Sequence, residues 1–106
     1  MGRVAIAAYK PRPGKQAELL AVVAKHWQVL ASQQLVSDRP RYVMRAGDGT
    51  VIEVFEWRSA EAIEKAHSNP AVERLWGEFE STCEYVPLAS VAESQGVFSE
   101  FEPLEI

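Results

Sequence analysis

The sequence holds one cysteine, two histidines and few cations. A single thiol, Cys83, excludes an internal disulfide and any cysteine-rich metal site. The histidines, His26 and His67, have no metal-type side chain three or four residues further on, so no metal set emerges. Lys and Arg number 11 against 15 Asp and Glu, a net charge of -4. Nucleic-acid affinity rests on clustered cations that release counterions, so no nucleic-acid partner is expected. Lys10, Arg12 and Lys15 do cluster, but as a solvated loop or a small anion site at the next helix start. The N-terminus joins no basic segment to a long apolar run, and Ile6 stands where myristoylation needs Ser or Thr. No membrane partner is expected, and the cytoplasm is the default location.

What is present, 106 residues with 47% apolar and 25% charged side chains, fits one domain around one core. Arg3 to Tyr9 is a short apolar run closed by Lys10-Pro11-Arg12-Pro13-Gly14, which predicts a strand and a loop. Val4, Ile6 and Ala8 point one way and Ala5, Ala7 and Tyr9 the other, and neither set is polar. Such a strand is covered on both sides or is central. From Gly14 to about Ser32, Leu19, Leu20, Val23, Trp27 and Leu30 recur at helical spacing. His26 lies on that stripe, as a ligand contact or proton carrier, or as an edge residue bonded to a carbonyl or water.

Arg41 to Ala46 and Thr50 to Trp57 flank Gly47-Asp48-Gly49, a strong hairpin signal. A two-residue Asp48-Gly49 turn sets Met44 opposite Glu53, Tyr42 opposite Phe55 and Arg41 opposite Glu56. On that register Glu53 shares a face with Tyr42, Met44, Val51, Phe55 and Trp57, while Val43, Ile52 and Val54 take the other. A carboxylate among such neighbours is desolvated and its pKa rises toward a general-acid or general-base range. A structural partner such as Arg45, a backbone amide or exposure at a sheet edge accounts for it equally.

Trp57 to Cys83 reads as two helices broken at Ser68-Asn69-Pro70. Ser59 is an N-cap, Asn69 caps again, and Pro70 takes the first position of the second helix. Ile63 and His67 share one face; Val72, Leu75, Trp76, Phe79 and Cys83 form the stripe of the other helix, where Cys83 is an inert buried thiol. Leu88 to Ser94 predicts a fourth strand. The order is strand, helix, strand, strand, helix pair, strand. This is the β-α-β-β-α-β pattern of ferredoxin-like α+β domains, a four-stranded antiparallel sheet with helices on one face. Residues 1–94 form the domain. Residues 95–106 are a C-terminal extension whose Phe98 and Phe101 can reach a partner subunit. Because the strands are apolar on both sides, the uncovered sheet face calls for a lid, and a homodimer is the simplest one.

Trp57-Arg58-Ser59, Glu61-Ala62, Ala66-His67 and Asn69-Pro70-Ala71-Val72 resemble the motif of the antibiotic biosynthesis monooxygenase (ABM) domains, in the dimeric α/β-barrel superfamily. The resemblance implies a cavity between sheet and helices. It also implies an activity among cofactor-free oxygenases of quinols and phenols, haem-degrading oxygenases, or domains without a reaction. The haem-degrading pattern, an Asn on the first strand and a His ten residues after a helical Trp, is not met, since Gly77 stands at the last position. The expected reading is a cofactor-independent monooxygenase of a small aromatic quinol or phenol; the alternative is a non-catalytic ligand-binding or structural dimer. His67 or Glu53 would take the proton. Tyr42 would orient a hydroxyl, Phe55, Trp57, Trp76 and Phe79 would pack on the ring, and His26 would touch the ligand. Each also has a plain structural role, His67 as a local helix cap and the tryptophans as core.

Overall fold

The structure, a computed structural model, describes residues 1–106 as a five-stranded antiparallel sheet with three α-helices. In chain order these are β1 (Arg3–Pro11), α1 (Gln16–Ser32), β2 (Tyr42–Arg45), β3 (Val51–Trp57), α2 (Ala60–Ala66), α3 (Pro70–Thr82), β4 (Cys83–Val86) and β5 (Glu102–Pro103). The strands lie in the order β4-β1-β3-β2-β5. This α+β arrangement is compatible with the ferredoxin-like expectation, with one strand more than expected. No helix is long and apolar enough to cross a membrane.

Local chemistry explains where the helices begin and end. At the C-terminus of α1, Gln34 adopts a left-handed φ of 58°. The Leu35 amide reaches back to the Leu30 carbonyl at 3.0 Å and the Gln34 amide to Ala31 at 2.9 Å. These bonds satisfy carbonyls that the helix end would otherwise orphan. The break between α2 and α3 follows the sequence. Ser59 Oγ accepts from the Ala62 amide, Asn69 Oδ1 accepts from the Ala71 and Val72 amides, and Pro70 opens α3.

The hairpin departs from its expected register. Ala46 N–H bonds to the Thr50 carbonyl at 2.8 Å and Gly49 N–H to the Ala46 carbonyl at 3.0 Å, so the loop is the three residues Gly47-Asp48-Gly49. Gly49 takes the left-handed position with φ 94°, and Asp48 does not. That is the three-residue hairpin, in which only the last loop residue needs a glycine-like backbone. Val43 therefore faces Glu53, Tyr42 faces Val54 and Met44 faces Ile52. The one-residue shift sends every β2 side chain to the face opposite the expected one. Arg41 does not meet Glu56, which instead pairs with Arg39 and accepts from Ser37.

Two further elements differ. The fourth strand is Cys83–Val86, paired with Ala8 to Pro11, so Cys83 begins β4 instead of closing a helical stripe. Leu88 to Ser94 forms two short 3-10 turns, held where Ser90 Oγ and Ser94 Oγ donate to the carbonyls of Pro87, Leu88 and Val91. The C-terminal segment returns to its own chain, β5 pairing with Met44 and Arg45 of β2.

The sheet divides the apolar side chains in two. Toward the helices, Tyr9, Val43 and Val51 pack with Leu19, Val22, Val23, Leu75 and Phe79, while Phe55 and Trp57 pack with Leu30, Ala62, Ala66 and Val72. On the other face Val91 covers Ala8, Ala46 and Ile52, with Leu88 and Phe101 against them. Val4, Ile6 and Tyr42 on that face stay 66%, 50% and 73% exposed, too much for a finished core layer.

Candidate active site

Strand alternation carries Glu53 to the helix side of β3, among Val51, Phe55 and Trp57, and there it has no exposed surface. A carboxylate in such a place is tolerated only with partners for its charge and lone pairs. Glu53 has three. Tyr9 Oη donates to Oε1 at 2.7 Å, His26 Nδ1 lies 2.7 Å from the same oxygen, and Arg41 donates to Oε2 at 2.7 Å. Arg41 also donates to the Val23 and Ala24 carbonyls at 2.6 and 3.0 Å, so one guanidinium ties α1 to β3.

Burial, the largest influence, pushes the Glu53 carboxyl up. The hydrogen bond and charge of His26, with hydrogen bonds from Tyr9 and Arg41, outweigh it and hold the group below its usual range. The expected upward shift is thus reversed, because the carboxylate is desolvated but fully paired. Tyr9 moves the other way. Burial, the Glu53 charge and the bond to Glu53 push its hydroxyl far up, so it stays a neutral donor.

An ionised carboxylate only accepts, so the hydrogen between Glu53 and His26 sits on Nδ1. The imidazolium whose charge lowers Glu53 carries a hydrogen on both ring nitrogens; in the neutral ring Nδ1 keeps its hydrogen against Glu53 and Nε2 is the acceptor. It makes no hydrogen bond in the chain, yet the one buried side-chain nitrogen without a partner is Trp27 Nε1. Nε2 therefore keeps access to open space, and the space beside His26 is a cavity of about 340 Å³ between sheet and helices. Ala5 and Ala7 form its floor, with Tyr9, Phe55, Trp57, Trp76, Phe79 and Tyr85 around it and Glu80 at its edge. The His26 ring is held edge-on by Phe55 and Phe79, with centroids 5.4 and 5.0 Å away. Burial pushes the Tyr85 hydroxyl up to about 12, with the charges of Cys83 and Glu80 adding to it.

Of the residues singled out from sequence, His26, Phe55, Trp57, Trp76 and Phe79 line this cavity, and Glu53 sits behind it on His26. Tyr42 does not; the register shift leaves it on the opposite face, 73% exposed. His67 does not face Glu53 either. It is exposed at the end of α2, its Nδ1 bonded to the Ile63 carbonyl at 2.8 Å and its ring 5.1 Å from Trp76. Arg45, the sequence candidate for Glu53's partner, pairs with Glu102. Tyr9 and Arg41 were missed as members of the site. Strand alternation already puts Tyr9 on one face with Ala5 and Ala7, but nothing local marks Arg41, which reaches Glu53 from outside β2.

Chemically, the arrangement is a carboxylate that fixes the tautomer of an imidazole whose second nitrogen opens on an apolar, aromatic chamber. Such a pair can accept a proton from a weak acid bound there and stabilise the resulting imidazolium. Comparison of the chain with protein-family models, with curated proteins and with solved structures finds no match.

Proposed function

We propose that the chain is a small cofactor-independent monooxygenase of a phenol or quinol, with His26 as the proton acceptor and Glu53 as the group that holds it. The observation that carries this reading is the open Nε2 of His26 over the aromatic cavity, with Nδ1 committed to Glu53 at 2.7 Å. The motif likeness of Trp57 to Val72 to ABM domains supports the same reading, as does the helix-side position of the cavity.

The ring of the substrate packs among Phe55, Trp57, Trp76 and Phe79 with its hydroxyl on His26 Nε2. Proton transfer leaves a phenolate, rich enough in electrons to reduce O₂, with apolar side chains around the ring. For a phenol with a free para position the balance is one phenol plus one O₂ giving one para-quinone plus one water. One oxygen atom enters the ring, the other leaves as water, and the substrate supplies all the electrons. Tyr9 and Arg41 are positioning residues, since they touch Glu53 and keep it ionised.

A second copy of the chain completes the reading. Val4, Ile6 and Tyr42 make an apolar patch on the helix-free face, continuous with a hollow of about 290 Å³ lined by Met44, Val54 and Phe101. Two such faces packed together give the dimeric α/β barrel. The non-catalytic alternative draws on the same carboxylate. Glu53 is satisfied by three side chains that also join β1, α1 and β3, which is what a purely structural keystone does.

The experiment is oxygen consumption with 1-naphthol, whose para position is free, with product analysis under isotopically labelled O₂. One labelled oxygen per quinone is expected, lost in His26→Ala and kept in His67→Ala. Thermal stabilisation by the same compound without oxygen uptake replaces the enzyme with the binding module.

A further inference from the structure

The cavity is unusual in what its wall omits. Apart from His26, no residue lining it bears a cation, while one, Glu80, bears an anion. The nearby guanidinium groups are engaged elsewhere. Arg41 is spent on Glu53 and two α1 carbonyls, and Arg12 donates to the Glu80 backbone carbonyl at 3.0 Å and lies 3.7 Å from the Glu84 carboxylate. Lys25, on α1, is paired with Glu78 of α3. A carboxylate or phosphate at the mouth would lose its hydration beside the Glu80 charge, with no cation there to replace it.

The mouth favours the opposite sign. Trp76 and Glu80 stand one turn apart on α3 and so share a face, and Tyr85 comes toward them from β4. Trp76 is half-buried, and Tyr85 is 53% exposed. Tryptophan and tyrosine faces beside a carboxylate attract an alkylammonium group, whose diffuse charge suits a ring face better than it suits water. Deeper in, the neutral His26 ring offers Nε2 as an acceptor. We propose that the cavity takes a phenol whose opposite end is an alkylammonium cation, the hydroxyl on His26 and the cation among Trp76, Tyr85 and Glu80. The hydroxyl end of this assignment rests on the proposed function; the cationic end rests on the mouth alone.

The test is calorimetric binding of three compounds with one skeleton: (4-hydroxyphenethyl)trimethylammonium, its neutral isostere with carbon in place of nitrogen, and the corresponding carboxylate. The cation is expected to bind about tenfold more tightly than the isostere, and the carboxylate most weakly. Glu80→Gln shrinks the preference for the cation while leaving the isostere's affinity nearly unchanged, Trp76→Leu weakens both compounds but the cation more, and both variants keep the wild-type circular dichroism. Equal or tighter binding of the isostere, tightest binding of the carboxylate, or binding of none of the three overturns the proposal. His26→Ala separates the two readings. It retains the cation preference if the mouth sets it, so a wild type that prefers the cation but never turns over a phenol defeats the oxygenase reading only. Turnover without any cation preference defeats this one only.

Discussion

His26 and Glu53 stand 27 residues apart in the chain and meet at 2.7 Å, with side chains 4% and 0% exposed. A buried carboxylate needs partners for its charge, and Glu53 has Tyr9 and Arg41 beside His26. The pair in turn depends on Arg41 and Tyr9, so the site and the stability of the sheet are one structure.

Truncating Arg41 should therefore cost far more than truncating a surface cation. Arg41→Ala leaves the Glu53 charge without its guanidinium and is expected to destabilise the fold by about 3–5 kcal/mol. Tyr9→Phe removes one hydrogen bond to a charged acceptor, worth roughly 1.5–3 kcal/mol. Lys25→Ala breaks an ion pair whose two side chains are each 47% exposed, for an effect of about 1 kcal/mol or less. Urea unfolding of the three variants checks the ranking; an Arg41→Ala cost no larger than that of Lys25→Ala contradicts it.

The same network sets a pH dependence on each side of neutrality. Glu53 is held below its ordinary value of 4.5, so its contribution is present above that value and is lost as pH falls through the lower folded-state value. Tyr9 is raised above its ordinary 10.0, so its contribution is intact below that value and declines as pH rises past it. Urea midpoints measured against pH should show both limbs in the wild type. Glu53→Gln flattens the acid limb and Tyr9→Phe the alkaline one. An acid limb in Glu53→Gln as steep as in the wild type assigns it to other carboxylates.

Cys83 offers a test of packing at the start of β4. The residue is 1% exposed, and burial pushes its thiol up to about 11. Thiolate is the reactive form, so a disulfide reagent should leave the native chain unmodified at mildly alkaline pH and titrate the thiol once denaturant is added. Rapid modification of the native chain would show that β4 opens away from β1.

Much of the fold was legible because it is local. Ser59, Asn69 and Pro70 satisfy or omit amides within a few residues of themselves, and the stripe of α1 is visible in Leu19, Val23 and Leu30. The hairpin was legible only as a hairpin. Gly47-Asp48-Gly49 has a glycine on each side, so two-residue and three-residue loops both fit the sequence, and one hydrogen bond from Ala46 to Thr50 decides the register. β4 was hidden because helix α3 passes into it at Cys83 with no turn residue between them. The site was half legible for the same reason. Periodicity places both His26 and His67 on apolar faces, but which of them meets Glu53 depends on how α1 crosses β3. That crossing is fixed by Arg41 bonding to Val23 and Ala24, a contact with no sequence signature.

The most direct test of the central claim, that the Glu53-held imidazole of His26 takes a proton from a ligand in the cavity, is the absorbance of bound para-nitrophenol below its solution pKa. Free phenol is then colourless and phenolate is yellow, so the bound spectrum reports where the proton is. The wild type and His67→Ala should bind the compound as phenolate, and His26→Ala should bind it as the neutral phenol. A colourless complex with the wild type, at saturating concentration, would contradict the account.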